Sequence, residues 1–155
     1  MRIFEIEDLK SFTTELFLRS KFDFFEICEA DFVTFGKFHI DGRLQKDYFD
    51  TGEQEVMDVL EYTLWKEVKP FCLSLIKGKR LPLQFKIVLR LYPGHPLCKE
   101  NEALQQEAEK QSLFLNILYR DKRLTCTTGS AALAFEPGRK PGQEWDAAAG
   151  SFLAG

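Results

Sequence analysis

The sequence predicts an α+β fold, an antiparallel β-sheet of hairpins packed by two to three helices within a single domain, 1–155. Three observations carry this reading. Segments of strand periodicity lie both before and after helical ones, and turn signals join them as hairpins. Regular strand–helix–strand alternation, the mark of a parallel sheet, is missing. The 155 residues, 45% of them apolar, suffice for one core without disulfide or metal staples. Fifteen phenylalanines suit such a core, because a flat ring covers much area with few rotamers to fix.

Each element follows in order. "MRIFEI" reads as a strand. Glu7 or Asp8 then opens a helix to about Arg19, with Leu9, Phe12, Leu16 and Arg19 at helical spacing and acids in the first turn. In "FDFFEICEADFVTFGKFHI", Phe32, Thr34, Gly36, Phe38 and Ile40 alternate with Val33, Phe35, Lys37 and His39. That is strand periodicity, read as two strands broken near 29–31. Asp41 and Gly42 form a hairpin signal, since both tolerate the positive φ of a type I′ turn.

From 53 to 77, Leu60, Leu64, Val68, Phe71 and Leu75 recur as a buried helical stripe would, but Pro70 interrupts them. A shorter helix over about 67–77, with Pro70 in its first turn, is the preferred reading. Residues 53–66 stay open between helix and strand. "LPLQFKIVLRLY" is the clearest strand, with Leu83, Phe85, Ile87, Leu89 and Leu91 on one side, and "PGHP" ends it. Residues 93–112 read as an exposed excursion, whether loop or weak helix, because few of them are apolar. "LFLNILYRDKRLTCTT" is a hairpin turning at 120–122, and 136–142 is a loop. "EWDAAAGSFLAG" closes the chain as a helix with Trp145, Ala149 and Phe152 on one face.

Composition also excludes function classes. No window approaches the roughly 18 apolar residues of a membrane helix. The N-terminus carries acids where a signal peptide is apolar, so a cytoplasmic protein is expected. Cys28, Cys72, Cys98 and Cys126 form no CxxC pair, which favours reduced, mostly buried thiols over disulfides or zinc. A net charge of −3 argues against general nucleic-acid affinity. The charge is uneven, however: residues 66–90 hold seven cations against Glu67 alone.

That basic segment contains the first candidate site. In "LIKGKRLP", Gly78 reads as a helix C-cap, and the cations beside it complement the negative end of the dipole. Adding Lys86 and Arg90 from the next strand gives a stripe of Lys77, Lys79, Arg80, Lys86 and Arg90, with Trp65 as a stacking surface. It becomes an anion or nucleic-acid site only if these residues share one surface. The second candidate is "FHIDG". His39 and Asp41 share a face of a strand, as a metal pair or a base with its carboxylate would, and Asp47 and Asp50 could add oxygen ligands. The third is "TCTTGS", where Cys126 lacks a histidine at any telling spacing and reads better as a buried strand residue. There Thr128, Gly129 and Ser130 could cap a short helix. His95 reads as a turn tip.

Three segments carry a resemblance: "FHIDGRLQKDYF", "LWKEVKPFCLSLIKGKRLPLQFKIV" and "FLNILYRDKRLTCTTG". On these the chain resembles an uncharacterised family of small clostridial bacterial proteins of unknown function. The resemblance implies a bacterial cytoplasmic setting and supplies no catalytic residues.

The expected function is a non-enzymatic binding or interaction module that takes a protein partner or an anionic ligand. An anion or nucleic-acid binder using the 77–90 stripe is the alternative, with a small metal-dependent hydrolase at His39 and Asp41 behind it. No cofactor and no membrane association are expected. Phenylalanine-rich edge strands keep homo-oligomerisation open.

Overall fold

The strand periodicities resolve into one sheet. The computed structural model describes residues 1–78, 80–132 and 142–155. Among them, six strands pair antiparallel throughout: β1 (Ile3–Ile6), β2 (Glu26–Val33), β3 (Lys37–Asp41), β4 (Gln84–Leu91), β5 (Gln111–Arg120) and β6 (Arg123–Ala132). Their order in space is β1-β6-β5-β4-β2-β3. The described helices are α1 (Leu9–Phe17), α2 (Thr51–Met57), α3 (Trp65–Ile76), α4 (Pro96–Lys99), α5 (Glu102–Lys110) and α6 (Gln143–Ala154). None is long and apolar enough to cross a membrane. This is the α+β antiparallel fold the sequence predicts.

Alternation decides which side of the sheet is dry. Phe85, Ile87, Leu89 and Leu91 of β4 and Leu113, Leu115 and Ile117 of β5 point into one core with Phe12, Leu16, Trp65, Leu104 and Trp145 from the helices. Burying them supplies the main drive for folding, at about 1.5–3 kcal/mol for each large apolar side chain. On the opposite face, the same strands present Lys86, Val88, Phe114, Asn116 and Leu118. These are half-buried or exposed.

Local chemistry sets the boundaries. Asp8 caps α1 by accepting from the Ser11 amide at 3.0 Å. Asp121 and Lys122 both take positive φ, 54° and 62°, so a two-residue turn joins β5 to β6 with the twist hairpins favour.

Several expectations change. The excursion expected at 93–112 is largely structured: α4 and α5 dock on the core, with Leu104 and Ala108 buried. Two apolar residues one turn apart are enough to dock a helix whose other face stays polar. Glu107 also accepts from the Glu144 and Trp145 amides at the start of α6, a bond pair that sequence spacing does not reveal. The 53–66 stretch divides into α2 and a return segment, with Asp50 and Glu53 forming a capping box. Helix α3 begins at Trp65, so Pro70 lies inside it rather than in its first turn. Its buried residues are Trp65 and Cys72, while Phe71 of the expected stripe is exposed. The expected loop at 136–142 lies, up to 141, outside the described residues.

The largest correction is on β2. The strand runs unbroken through 29–31, and the turn falls at 34–36, where the Thr34 amide donates to the Gly36 carbonyl at 2.9 Å. What interrupts the alternation is a β-bulge between Ile27 and Glu29 opposite β4. The extra residue, Cys28, lets Glu26 face Arg90 while Ala30 and Phe32 still point inward. Gly42 fits against this bulge and turns no hairpin. Its amide donates to the Cys28 carbonyl at 2.9 Å, and a Cβ on it would meet the Ile27 carbonyl oxygen at 1.8 Å. Close backbone approach, rather than positive φ, requires glycine there.

Gly42→Ala is therefore expected to cost about 3 kcal/mol or more in urea unfolding. A change within about 0.5 kcal/mol would show that the edge relaxes freely around the new methyl.

Candidate functional site

Three of the large exposed apolar residues, Phe35, Leu81 and Leu83, meet at one end of the sheet. Beyond the C-terminus of α3 the chain extends through Lys77 and Gly78 and returns into β4, with the Leu83 amide bonded to the Val33 carbonyl at 2.8 Å. Gly78 adopts φ 152°, a value side chains rarely take, but the helix ends before it on extended Lys77. It is therefore not the left-handed cap expected from sequence. Opposite this return stands the β2–β3 turn. Between them runs an open groove of about 740 Å³, walled by Phe35, Phe38, Leu75, Leu81 and Leu83. Phe35 is 95% exposed, Leu81 78% and Leu83 70%. Lys77 and Arg80 also line the groove and form no ion pair among the described residues.

Among the described residues proposed for the basic stripe and its stacking surface, Trp65, Lys86 and Arg90 lie away from this groove. Trp65 is fully buried, its indole N–H donating to the Leu16 carbonyl at 2.8 Å, so it offers no stacking face. Lys86 faces the far side of the sheet and pairs with Glu29 at 3.5 Å. Arg90 is buried, with its guanidinium 2.5 Å from Glu26 Oε1. Lys79 lies outside the described residues. Of the described stripe residues, Lys77 and Arg80 line the groove.

A family model described as a family of unknown function (DUF5721) matches residues 15–155. The chain belongs to this family. No curated protein and no solved structure matches it.

The other sequence-derived candidates of this DUF5721 chain have structural roles or new partners. His39 Nδ1 lies 2.6 Å from Asp31 Oδ1, its direct neighbour across the β2–β3 pair. The hydrogen bond to Asp31, then its charge, raises the His39 pKa. Asp41, the partner expected from the i, i+2 spacing, instead accepts from the Arg43 amide at 2.9 Å. Asp50 is occupied as the α2 cap. Cys126 is buried in β6, and burial pushes its thiol up to about 12, far from a nucleophile's range. Thr128, Gly129 and Ser130 continue β6 rather than capping a helix. His95 is not a turn tip: it is buried against Phe25, ring centroids 4.4 Å apart, and its Nδ1 accepts from the Leu97 amide to start α4.

Sequence reasoning missed Phe35, Leu81 and Leu83 as surface residues and Asp31 as the partner of His39. The signal was there for Asp31. Once the turn is placed at 34–36, pairing Val33 with Lys37 puts Asp31 opposite His39.

Two measurements test these roles. Glu26 is fully buried, and its second oxygen accepts from the Glu61 and Tyr62 amides at 2.8 and 2.7 Å. Arg90→Met should cost about 3–5 kcal/mol in urea unfolding, because it strands that carboxylate. Adding Glu26→Gln, which can still accept from both amides, should return part of the loss. A double variant less stable than Arg90→Met would contradict this.

The second measurement concerns His95, which burial lowers to a pKa of about 4. Its folded pKa lies below its unfolded one, so its contribution is full above pH 6.5 and lost as pH falls toward 4. His95→Asn keeps a cap acceptor but cannot titrate. The stability of the wild type relative to this variant should fall by about 3 kcal/mol between those pH values. A pH-independent difference would show that His95 does not titrate with unfolding.

Proposed function

We propose that the chain is a non-catalytic binding module of the bacterial cytoplasm, and that its groove receives an acidic, apolar segment of a partner protein. The observation that carries this reading is the meeting of exposed Phe35, Leu81 and Leu83 with Lys77 and Arg80 at one groove. Large apolar side chains left in water beside cations that pair with no acid among the described residues complement a ligand with both apolar groups and carboxylates. Burying them supplies affinity, and the two cations select the sign of the partner's charge. Four free cysteines, none disulfide-bonded, agree with a reducing compartment. The nucleic-acid alternative loses support, because Lys86 and Arg90 are held by acids away from the groove.

Two short synthetic peptides test the reading. They share one apolar pattern and carry either Glu or Lys between the apolar positions. With isotope-labelled protein, the Glu peptide is expected to shift the amide signals of residues 34–38 and 74–83 and to weaken as salt rises. Lys77→Glu/Arg80→Glu should weaken it about tenfold or more, with the circular dichroism spectrum unchanged. Equal binding of both peptides, or no shifts at the groove, would overturn the reading. So would concentration-dependent dimerisation through these residues in light scattering, which would assign the groove to a second copy of the chain.

A further inference from the structure

On the opposite face from the core, strands β2 and β3 bring four metal-ligating residues into a small grid. Asp31 stands directly across from His39, and Glu29 directly across from Asp41. Residues two apart on a strand share a face, so all four project to the same side. The bulge at Cys28 makes this possible. Without the extra residue, a β2 that turned Glu26 toward Arg90 would turn Glu29 and Asp31 into the core. Ligand atoms of Glu29, Asp31 and His39 all lie within 4.8 Å of one another.

We propose that Glu29, Asp31 and His39 form a binding site for a divalent transition-metal ion of the zinc class. One imidazole nitrogen and two carboxylate oxygens suit zinc and its neighbours better than magnesium or calcium, which prefer all-oxygen shells. Metal–ligand distances of about 2.0–2.2 Å require the His39 and Asp31 atoms, now 2.6 Å apart, to separate only slightly. Both side chains are partly exposed, so a small rotation accomplishes it. Lys86 is the competing cation, since it holds Glu29 at 3.5 Å and must yield that oxygen. Protons compete as well. The charged groups facing His39 are Asp31 and Glu29 on β2 and Asp41 on its own strand, and all three favour its protonated form. A metal needs the unprotonated imidazole nitrogen, so binding weakens at acid pH. This site shares no residue with the groove and stands independently of the partner proposed for it.

The test is zinc chloride titrated into tag-free protein by calorimetry, with the bound metal counted by elemental analysis after dialysis. One zinc per chain is expected, with a shift of the His39 ring-nitrogen signal. His39→Ala and Asp31→Asn should each weaken binding by about a hundredfold. Lys86→Met should tighten it, which a purely structural role for the cluster would not produce. Absence of saturable binding, or binding unchanged in His39→Ala, would overturn the site. Binding that is lost only when the four cysteines are replaced by serine would also overturn it. Magnesium chloride bound as tightly as zinc would overturn the assignment of metal class.

Discussion

The carboxylate of Glu26 holds together three parts of the chain that are distant in sequence. One oxygen takes the Arg90 guanidinium from β4, and the other takes the Glu61 and Tyr62 amides from the return segment before α3. A buried charge is tolerable only when it is paired and hydrogen-bonded in this way. The consequence is topological. With Glu26 committed to Arg90 on one face and Ile27 to the core on the other, β2 must insert Cys28 before Ala30 and Phe32 can reach the core. The bulge then presents its Ile27 and Cys28 carbonyls to the chain leaving β3, and only a glycine passes so close. Glu26, Cys28 and Gly42 therefore form one constraint.

That constraint also decides what the β2–β3 hairpin can expose. Downstream of the bulge the phase is fixed, with Phe32, Phe38 and Ile40 inward and Asp31 and His39 outward. The hairpin's flank is therefore charged, while its tip, Phe35, projects apolar surface beside Leu81 and Leu83. The two kinds of exposure come from one register set at the opposite end of the strand. A β-strand transmits such a choice faithfully, because a slip of one residue would exchange both faces at once.

Much of this was legible in the residues. Alternation in "QFKIVLRL" and around "RDKR" located β4 and the β5–β6 hairpin, because a sheet with one dry face writes a period of two into its strands. The bulge was not legible. It breaks the period by one residue, and "EICEAD" then resembles a strand break, which displaced the turn and hid the pairing of Asp31 with His39. The stripe of cations failed for a different reason. Spacing placed Lys86 and Arg90 on one face of β4 correctly, but it could not show that acids from β2 already occupied them. Exposure of Phe35, Leu81 and Leu83 was equally hidden, since sequence reasoning assigns large apolar residues to the interior by default.

The edge strand β3 shows how these features coexist in one sheet. An exposed sheet edge invites another strand to pair, and charges along it discourage the addition. Lys37, His39 and Asp41 alternate along β3 and leave only Phe38 and Ile40 apolar, both turned toward the core. A strand added along this edge would strip water from Lys37, His39 and Asp41. The groove at the hairpin tip lies past the end of this row and is bounded by side chains rather than by an unpaired backbone. A partner of the kind proposed for it would be selected by shape and charge instead of by strand addition, which any extended chain could satisfy. Along this hairpin the flank is thus charged, and the large exposed apolar side chain, Phe35, stands at the tip.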